Sequence, residues 1–484
     1  MLTQAEVIQF INEDKSTKKK LDAKKGLDYY EAEHDIKHYK LYYVDDDGVL
    51  QEDKNRSNIK IAHPFFTELV DQEVQYMLSG HENIVKSDDG LLQKELDKYF
   101  DDAFKSELAE CLTGTVVKGF EHMYAYKSVN GRTKFITADS MGVVEVRAKD
   151  TDDGCEYVIY WYTDRIEKGH KKIKRIQVWD ENYTYYYVQS EDGELEPDES
   201  EEVNPRPHII YTKGEEETLY CEGNGGYGFI PFFRLDNNKK QQSGLKTVKD
   251  IIDDYDLMSC GLSNNLQDIS EGIYVVKGFT GHNMDELIQN VKVKKHIGVD
   301  SDGDVDIKTI DIPYEARKIK LELDEKNIYR FGMGFNSAQL GDGNITNIVI
   351  KSRYALLDLK CNKLEIKLKQ FLRKIIGVVL KEINEENDTD YNQENVQFNF
   401  KREIMTNAQD NAEIKKTEAE TEQTLINTLL SLVNTFGDEI ILKAICDALD
   451  WDYEEIKDKI PMDGETDTQK AQEMLGSLTQ EVTT

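Results

Sequence analysis

The sequence predicts an α+β protein whose second half is organised by long helices. Three observations predict it. Between Leu245 and Glu386, apolar residues recur at three- and four-residue steps over unusually long runs. From about Lys134 to Lys213 the apolar period falls to two, in segments rich in β-branched and aromatic residues. The 484 residues are 39% hydrophobic, below the ordinary soluble range, but 10% aromatics and only seven prolines argue against a disordered chain. That length suits roughly two to four domains.

Residues 1–40 read as helix carrying a lysine cluster (Lys18, Lys19, Lys20, Lys24, Lys25), expected to be a solvated face. "YKLYYVDDDGVL" reads as a short hairpin turning at Asp47–Gly48. "HPFFTELVDQEVQYMLSG" and "LLQKELDKYFDDAFKSELAECLTGTVVKGFEHMYAY" read as amphipathic helices. Then come the strands "KFITADSMGVVEVRAK", "CEYVIYWYTD", "KKIKRIQVWDENYTYYYVQ" and "RPHIIYTK", fit for an antiparallel sheet. Glu191 to Glu202 carries eight acids and no base, and reads as an exposed loop. "FIPFFRLDNN" closes an α+β domain over residues 1–240.

The organising stretch follows. In its first helix Val248, Ile251, Ile252, Tyr255, Met258, Leu262, Leu266 and Ile269 form one stripe, with Asp250, Asp253 and Asp254 opposite. An insertion at 270–311 reads as a strand ("GIYVVKG"), a short helix ("NMDELIQNVK") and a hairpin ("HIGVDSDGDVDIKTI"). Pro313 opens a second helix where a missing N–H costs nothing. Beyond a glycine-punctuated loop, a third helix runs over 346–386 with Leu356, Leu359, Lys363, Leu368, Phe371, Ile375, Val379 and Ile383 in helical step. At roughly 1.5 Å per residue it is about 60 Å long, a strut. "NVQFNFKREIM" reads as a strand rejoining the first domain, Ala408 to Phe436 as helix, and "DEIILKAICDAL" and "YEEIKDKI" as short helices before a loose tail at 461–484.

Charge and motifs exclude more than they assign. Lys and Arg number 61 against 94 Asp and Glu, a net −33. Such a surface repels nucleic acid, since ordinary DNA binding neutralises phosphate with cations. Six scattered cysteines without a C-x-x-C pair suit reduced thiols rather than disulfides or zinc. No signal-peptide core and no apolar run of membrane-spanning length is expected, so no membrane partner.

Asp300, Asp302, Asp304 and Asp306 alternate like calcium ligands, but Gly303 falls at the fourth position of that loop and Asp311 at the twelfth; a hairpin turn with exposed acids is the expectation. "GNGGYG" lacks the Lys-Ser pair of a phosphate loop and reads as a flexible connection. A metal-dependent nuclease using Asp250, Asp253 and Asp254 is disfavoured, because no lysine or histidine partner is expected beside them. No metal site, cofactor or catalytic set is expected. An acidic helical scaffold that meets only proteins is a live reading of these features.

The order "FIPFFRLDNN" (Ile230, Pro231, Phe232, Asn237), "SGLKTVKDIIDDYDLMSCGLSNNLQDI", "GIYVVKG", then "NIYRFGMGFNSAQLGDGNITNIVIKSRYALLDLKCNKLEIKLKQFLRKII" resembles the portal proteins of tailed double-stranded-DNA bacteriophages, the siphophage type in particular, over roughly residues 60–460. The resemblance implies a portal fold. Residues 1–240 would be the wing, helices 244–269 and 313–331 the stem, and 270–311 the clip. Residues 333–346 would be the tunnel loop, 346–405 the long wing helix and returning strand, and 407–460 the crown.

It also implies a ring of about twelve subunits at one capsid vertex of the virion, built in the bacterial cytoplasm. Double-stranded DNA would pass through it. The terminase large subunit, a head-completion or connector protein, scaffold and major capsid protein would be its partners. Phe335, Asn336, Ser337, Gln339, Leu340, Gly341, Asp342, Gly343 and Asn344 would then line the tunnel, with Asp250, Asp253 and Asp254 facing the channel. Lys292, Lys294 and Lys295 would dock partners at the clip. Gly332, Gly334, Gly341 and Gly343 are expected to leave the loop free to move.

Overall fold

The computed structural model describes residues 2–54, 56–80, 83–128, 131–147, 155–165, 172–190, 194–209, 211–212, 219–220, 226–269, 273–280, 287, 297–308, 313–336, 347–402, 408–432 and 437–449. The chain divides into two compact units, Met1–Gly341 with Arg353–Ile404, and Asp342–Ser352 with Met405–Thr484.

The N-terminal helix is two helices, α1 (Gln4–Lys15) and α2 (Lys18–Tyr30). Thr3 and Glu6 form a reciprocal capping box on α1, and Thr17 caps α2 by accepting from the Lys20 N–H, so the break falls at Ser16–Thr17. The lysine cluster is not simply a solvated face. Lys20 is buried, donates to the Val143 carbonyl at 2.8 Å and pairs with Asp14 at 3.0 Å. Lys19 lies 3.7 Å over the Phe120 ring, and burial lowers its pKa to about 8. In sequence both lysines look like their exposed neighbours; only the partner segment tells them apart.

The hairpin forms as expected from β1 (Tyr42–Val44) and β2 (Leu50–Glu52), with Gly48 at φ +81°. Then come α3 (Phe65–Met77), β3 (Val85–Lys86), α4 (Gly90–Leu96) and α5 (Asp102–Lys118). Asp89 and Asp101 cap the last two helices through the N–H groups of Leu91 and Phe104 at 2.8 and 2.9 Å. Helix was expected through residue 126, but β4 (Phe120–Lys127) is a strand. Gly119 ends α5 at φ +93°, and a Cβ there would stand 2.5 Å from the Gln241 carbonyl oxygen. Only glycine suits that turn. Buried Glu121 and His122 hid the strand by breaking its apolar pattern.

The remaining strands of this half are β5 (Thr133–Ala138), β6 (Val143–Arg147), β7 (Cys155–Arg165), β8 (Lys172–Trp179), β9 (Tyr183–Ser190), β10 (Leu195–Pro197), β11 (Arg206–Pro207), β12 (Tyr211–Thr212), β13 (Leu219–Tyr220) and β14 (Phe232–Asp236). They pair antiparallel as β10-β9-β8-β7-β6 with β11 on β9, as β12-β13, and as β14-β4-β5. α1 closes one face of the larger sheet with Val7 and Ile11 against Val144, Ile159, Ile176 and Tyr187. The acidic stretch is only partly a loop. β10 binds the sheet edge, and buried Asp198 accepts from Arg175.

After a 3₁₀ turn (Gly244–Thr247) come α6 (Lys249–Ile269), β15 (Ile273–Phe279), β16 (Val299–Lys308), α7 (Tyr314–Gly332), α8 (Asn347–Asn387), β17 (Gln397–Phe398), α9 (Ala408–Ser431) and α10 (Asp438–Leu449). Within the stretch expected as a hairpin at 296–310, the described residues hold a single strand, β16, paired antiparallel with β15. Gly303 marks no turn: it faces a bulge near Gly278, where a Cβ would meet the Lys277 carbonyl oxygen at 2.8 Å. Asp300, Asp302, Asp304 and Asp306 therefore alternate along an exposed strand. Nearly all of the expected short helix of the insertion, and Lys292, Lys294 and Lys295, lie outside the described residues.

The helical stripe of α8 is right in its second half and out of phase in its first. Leu368, Phe371, Ile375, Val379 and Ile383 are buried, joined upstream by Leu357, Cys361 and Leu364. Leu356 and Leu359 are 42% and 60% exposed. β17 pairs with β3. Arg402, its side chain 8% exposed, then binds Asp358 at 2.7 Å and also Glu365, fastening the returning segment along α8. One core joins α3, α5, α6, α7 and α8. In the second unit α9 packs with α10, whose Ile441, Leu442, Ile445 and Cys446 are buried; "YEEIKDKI" and the tail lie outside the described residues.

Candidate functional site

The candidate site is the base of the α6–α7 pair and the start of the loop that follows it. Val248, just before α6, and Ile252 on it are buried in the core, and one turn beyond Ile252 comes an acid that periodicity passes over. Asp256 is fully buried. His34 Nδ1 lies 2.6 Å from one of its oxygens, and His63 Nδ1 lies 2.7 Å from the other, which also accepts from the His63 N–H at 3.1 Å. The second nitrogen of His34 faces the Tyr29 carbonyl at 3.2 Å, and the ring stacks on Tyr29. Both nitrogens of His34 thus face oxygens. Burial would raise the Asp256 pKa, but the hydrogen bonds from His34 and His63 outweigh it and hold the carboxyl below its ordinary value.

The three acids singled out from the sequence separate. Asp250 is exposed. Asp253 accepts from the Tyr29 hydroxyl and from Lys249 at 2.6 Å, and Lys249 also reaches Asp35 at 2.8 Å. Burial would raise the Asp35 pKa; Lys249 and Lys25 bring it down to about 2. Asp254 binds Lys320 of α7, which also bonds Asp324 on its own helix. The expectation that no lysine stands beside these acids is therefore wrong for Asp253 and Asp254. Lys249 stands one turn upstream of Asp253 on α6, an i,i+4 spacing present in the sequence, whereas Lys320 comes from across the pair. These contacts tie α6 to α2 and to α7. Among the described residues no group of three or more His, Cys, Asp or Glu is placed to hold a metal.

The loop begins under restraint. The Tyr329 hydroxyl donates to Glu68 at 2.5 Å, and Met333 adopts φ +55°. Gln72 of α3 takes both backbone groups of Phe335: its side-chain oxygen accepts the N–H at 2.9 Å and its NH₂ donates to the carbonyl at 2.8 Å. The Phe335 ring stacks on Tyr354 of α8 at 4.8 Å, and Asn336 donates to Glu325 at 2.9 Å. Gly332 and Gly334 are not hinges here. A Cβ at either would lie 2.6 or 2.2 Å from the Leu69 side chain, so glycine admits close packing. Ser337, Gln339, Leu340, Gly341, Asp342, Gly343 and Asn344 lie outside the described residues.

Sequence reasoning missed Asp256, His34, His63, Gln72 and Glu68. Each is brought in by a segment distant along the chain, and no spacing rule links them. No helix of the described residues is long and apolar enough to cross a membrane.

Comparison with known proteins covers almost all of this architecture. A family described as "Phage portal protein, SPP1 Gp6-like" matches residues 9–457. The portal protein of Bacillus phage SPP1 is 28% identical over 351 residues, 72% of this chain and 67% of that protein. The portal protein of Clostridium phage phiCD119 is 27% identical over 406 residues, 78% of this chain and 84% of that protein. With a match this long, running through the N-terminal strands, the helix pair and the long helix alike, the chain belongs to the phage portal protein family.

Proposed function

We propose that about a dozen copies of this chain close into a ring at one vertex of the capsid, forming a channel through which double-stranded DNA enters and leaves. The role is structural rather than enzymatic, and its place is the virion. The observation that carries the reading is the family match over residues 9–457. In this reading 244–269 and 313–331 are the stem, 270–311 the clip, 333–346 the tunnel loop, 346–405 the wing helix with its returning strand, and 407–460 the crown. Terminase and then a connector protein dock on the clip, while scaffold and major capsid protein surround the wing and crown.

The charge suits a conduit. A ring of subunits each carrying −33 repels phosphate, so DNA slides rather than sticks. The pairing of Asp253 and Asp254 with lysines leaves Asp250 as the exposed acid of the predicted channel set. A loop held at Gln72 and Tyr354 can present its tip while its root stays fixed.

Capsid precursors assembled with scaffold and major capsid protein should carry this chain at a single vertex; uniform incorporation, or none, contradicts the reading. Within such particles, replacing Lys292, Lys294 and Lys295 with glutamate should weaken terminase or connector docking while the ring stays whole. Unchanged docking in a pull-down removes the clip role of those lysines.

A further inference from the structure

The β1–β2 hairpin is made of apolar residues that its own chain leaves in water. Tyr42, Tyr43, Val44, Val49 and Leu50 are 47 to 64% exposed. Tyr43 points to the opposite face from Tyr42 and Val44, by strand alternation, so both faces of the ribbon carry apolar groups. A lone two-stranded hairpin is marginal in water, and a contiguous exposed apolar patch marks a contact surface. The turn of this ribbon is acidic: Asp45 accepts the Val49 N–H at 2.8 Å and shapes it, leaving Asp46 and Asp47 exposed.

The same chain holds a surface of opposite character. A groove of about 430 Å³ lies between the β14 segment and α8, with Phe229, Ile230, Phe232 and Val378 among its apolar lining. Lys374 and Lys381 stand exposed on its rim with Glu385, and neither lysine forms an ion pair among the described residues; Lys127, also on the rim, is bound to Glu382 at 3.0 Å. No hairpin residue lines this groove within one chain. An acidic-tipped apolar ribbon and a lysine-rimmed apolar groove that do not meet within the chain are suited to a head-to-tail contact, the kind that closes rings.

We propose that the hairpin 42–52 is an arm that seats in this groove on the next copy of the chain, with Asp46 and Asp47 meeting Lys374 and Lys381. The arm rests on the ring reading and adds to it which surfaces join neighbours.

The test places a photo-cross-linking benzoylphenylalanine at Tyr43 in the full chain, with native mass measured on the same sample. The arm predicts rings whose intermolecular cross-links join position 43 to peptides within 226–236 or 374–385. Rings that form without those cross-links overturn the arm and leave the ring standing. A chain that never assembles removes both. As a second variant, Asp46→Lys with Asp47→Lys should shift assembly to higher protein concentration, and adding Lys374→Glu with Lys381→Glu should restore it. Circular dichroism checks the fold of each, and assembly indifferent to the first pair of changes overturns the arm.

Discussion

Asp256→Ala is expected to destabilise the first unit by about 3–5 kcal/mol, the cost of removing a buried, hydrogen-bonded carboxylate and leaving its donors without an acceptor. The substitution strands His34 Nδ1 and both the ring and backbone N–H of His63 at the junction of α6 with the N-terminal segment. Urea unfolding followed by circular dichroism measures it as a lower midpoint. Asp250→Ala on the same helix is the control; its side chain is exposed and the change should stay within about 0.5 kcal/mol.

The same carboxyl has a pH signature. Its folded-state pKa lies below its ordinary 3.8, so its contribution is complete above about pH 4 and is lost as pH falls through the folded-state value. Asp256→Asn should flatten that part of the acid dependence. A wild-type acid profile identical to that of the Asn variant contradicts the network's charged state.

Deleting Asn336 to Asn344 is expected to abolish DNA packaging while rings still form. The cut spares Phe335 and Tyr354, whose stacking holds the two flanks of the loop together, and it spares the Gln72 clamp. Ring mass and the DNA content of purified particles measure the two effects separately. Normal packaging by the deletion variant removes the tunnel role, and loss of the ring makes the loop an assembly element instead.

The sequence made the architecture legible where one face of one element decides it. The start of the α6 stripe at Val248 and Ile252 (Leu266 further along is exposed), Pro313 at the start of α7, the second half of α8 and the alternation of β7 to β9 each follow from local period and caps. It misled where distant segments intervene. β4 read as helix because buried Glu121 and His122 interrupt its apolar pattern, and Gly303 read as a turn although it serves a bulge against Gly278. Lys20 read as solvent-facing because its carbonyl partners lie some 120 residues away. The candidate site was legible as a place, the helix pair and its loop, but not as chemistry. Asp253 and Asp254 are half of ion pairs, and Gly332 and Gly334, two of the four glycines taken as hinges, pack against Leu69. Leu69, Tyr29 and Lys320 come from α3, α2 and α7, and a period read along one helix carries no trace of them; Lys249, four residues before Asp253, was the one partner within reach of the sequence.

The measurement that bears most directly on the portal reading is native mass spectrometry of the purified chain with negative-stain images of the same sample. The account predicts a closed ring of about a dozen subunits around an open central hole. A monomer or dimer that persists at high concentration, with scaffold protein added, would contradict it and favour an acidic scaffold that never encloses DNA.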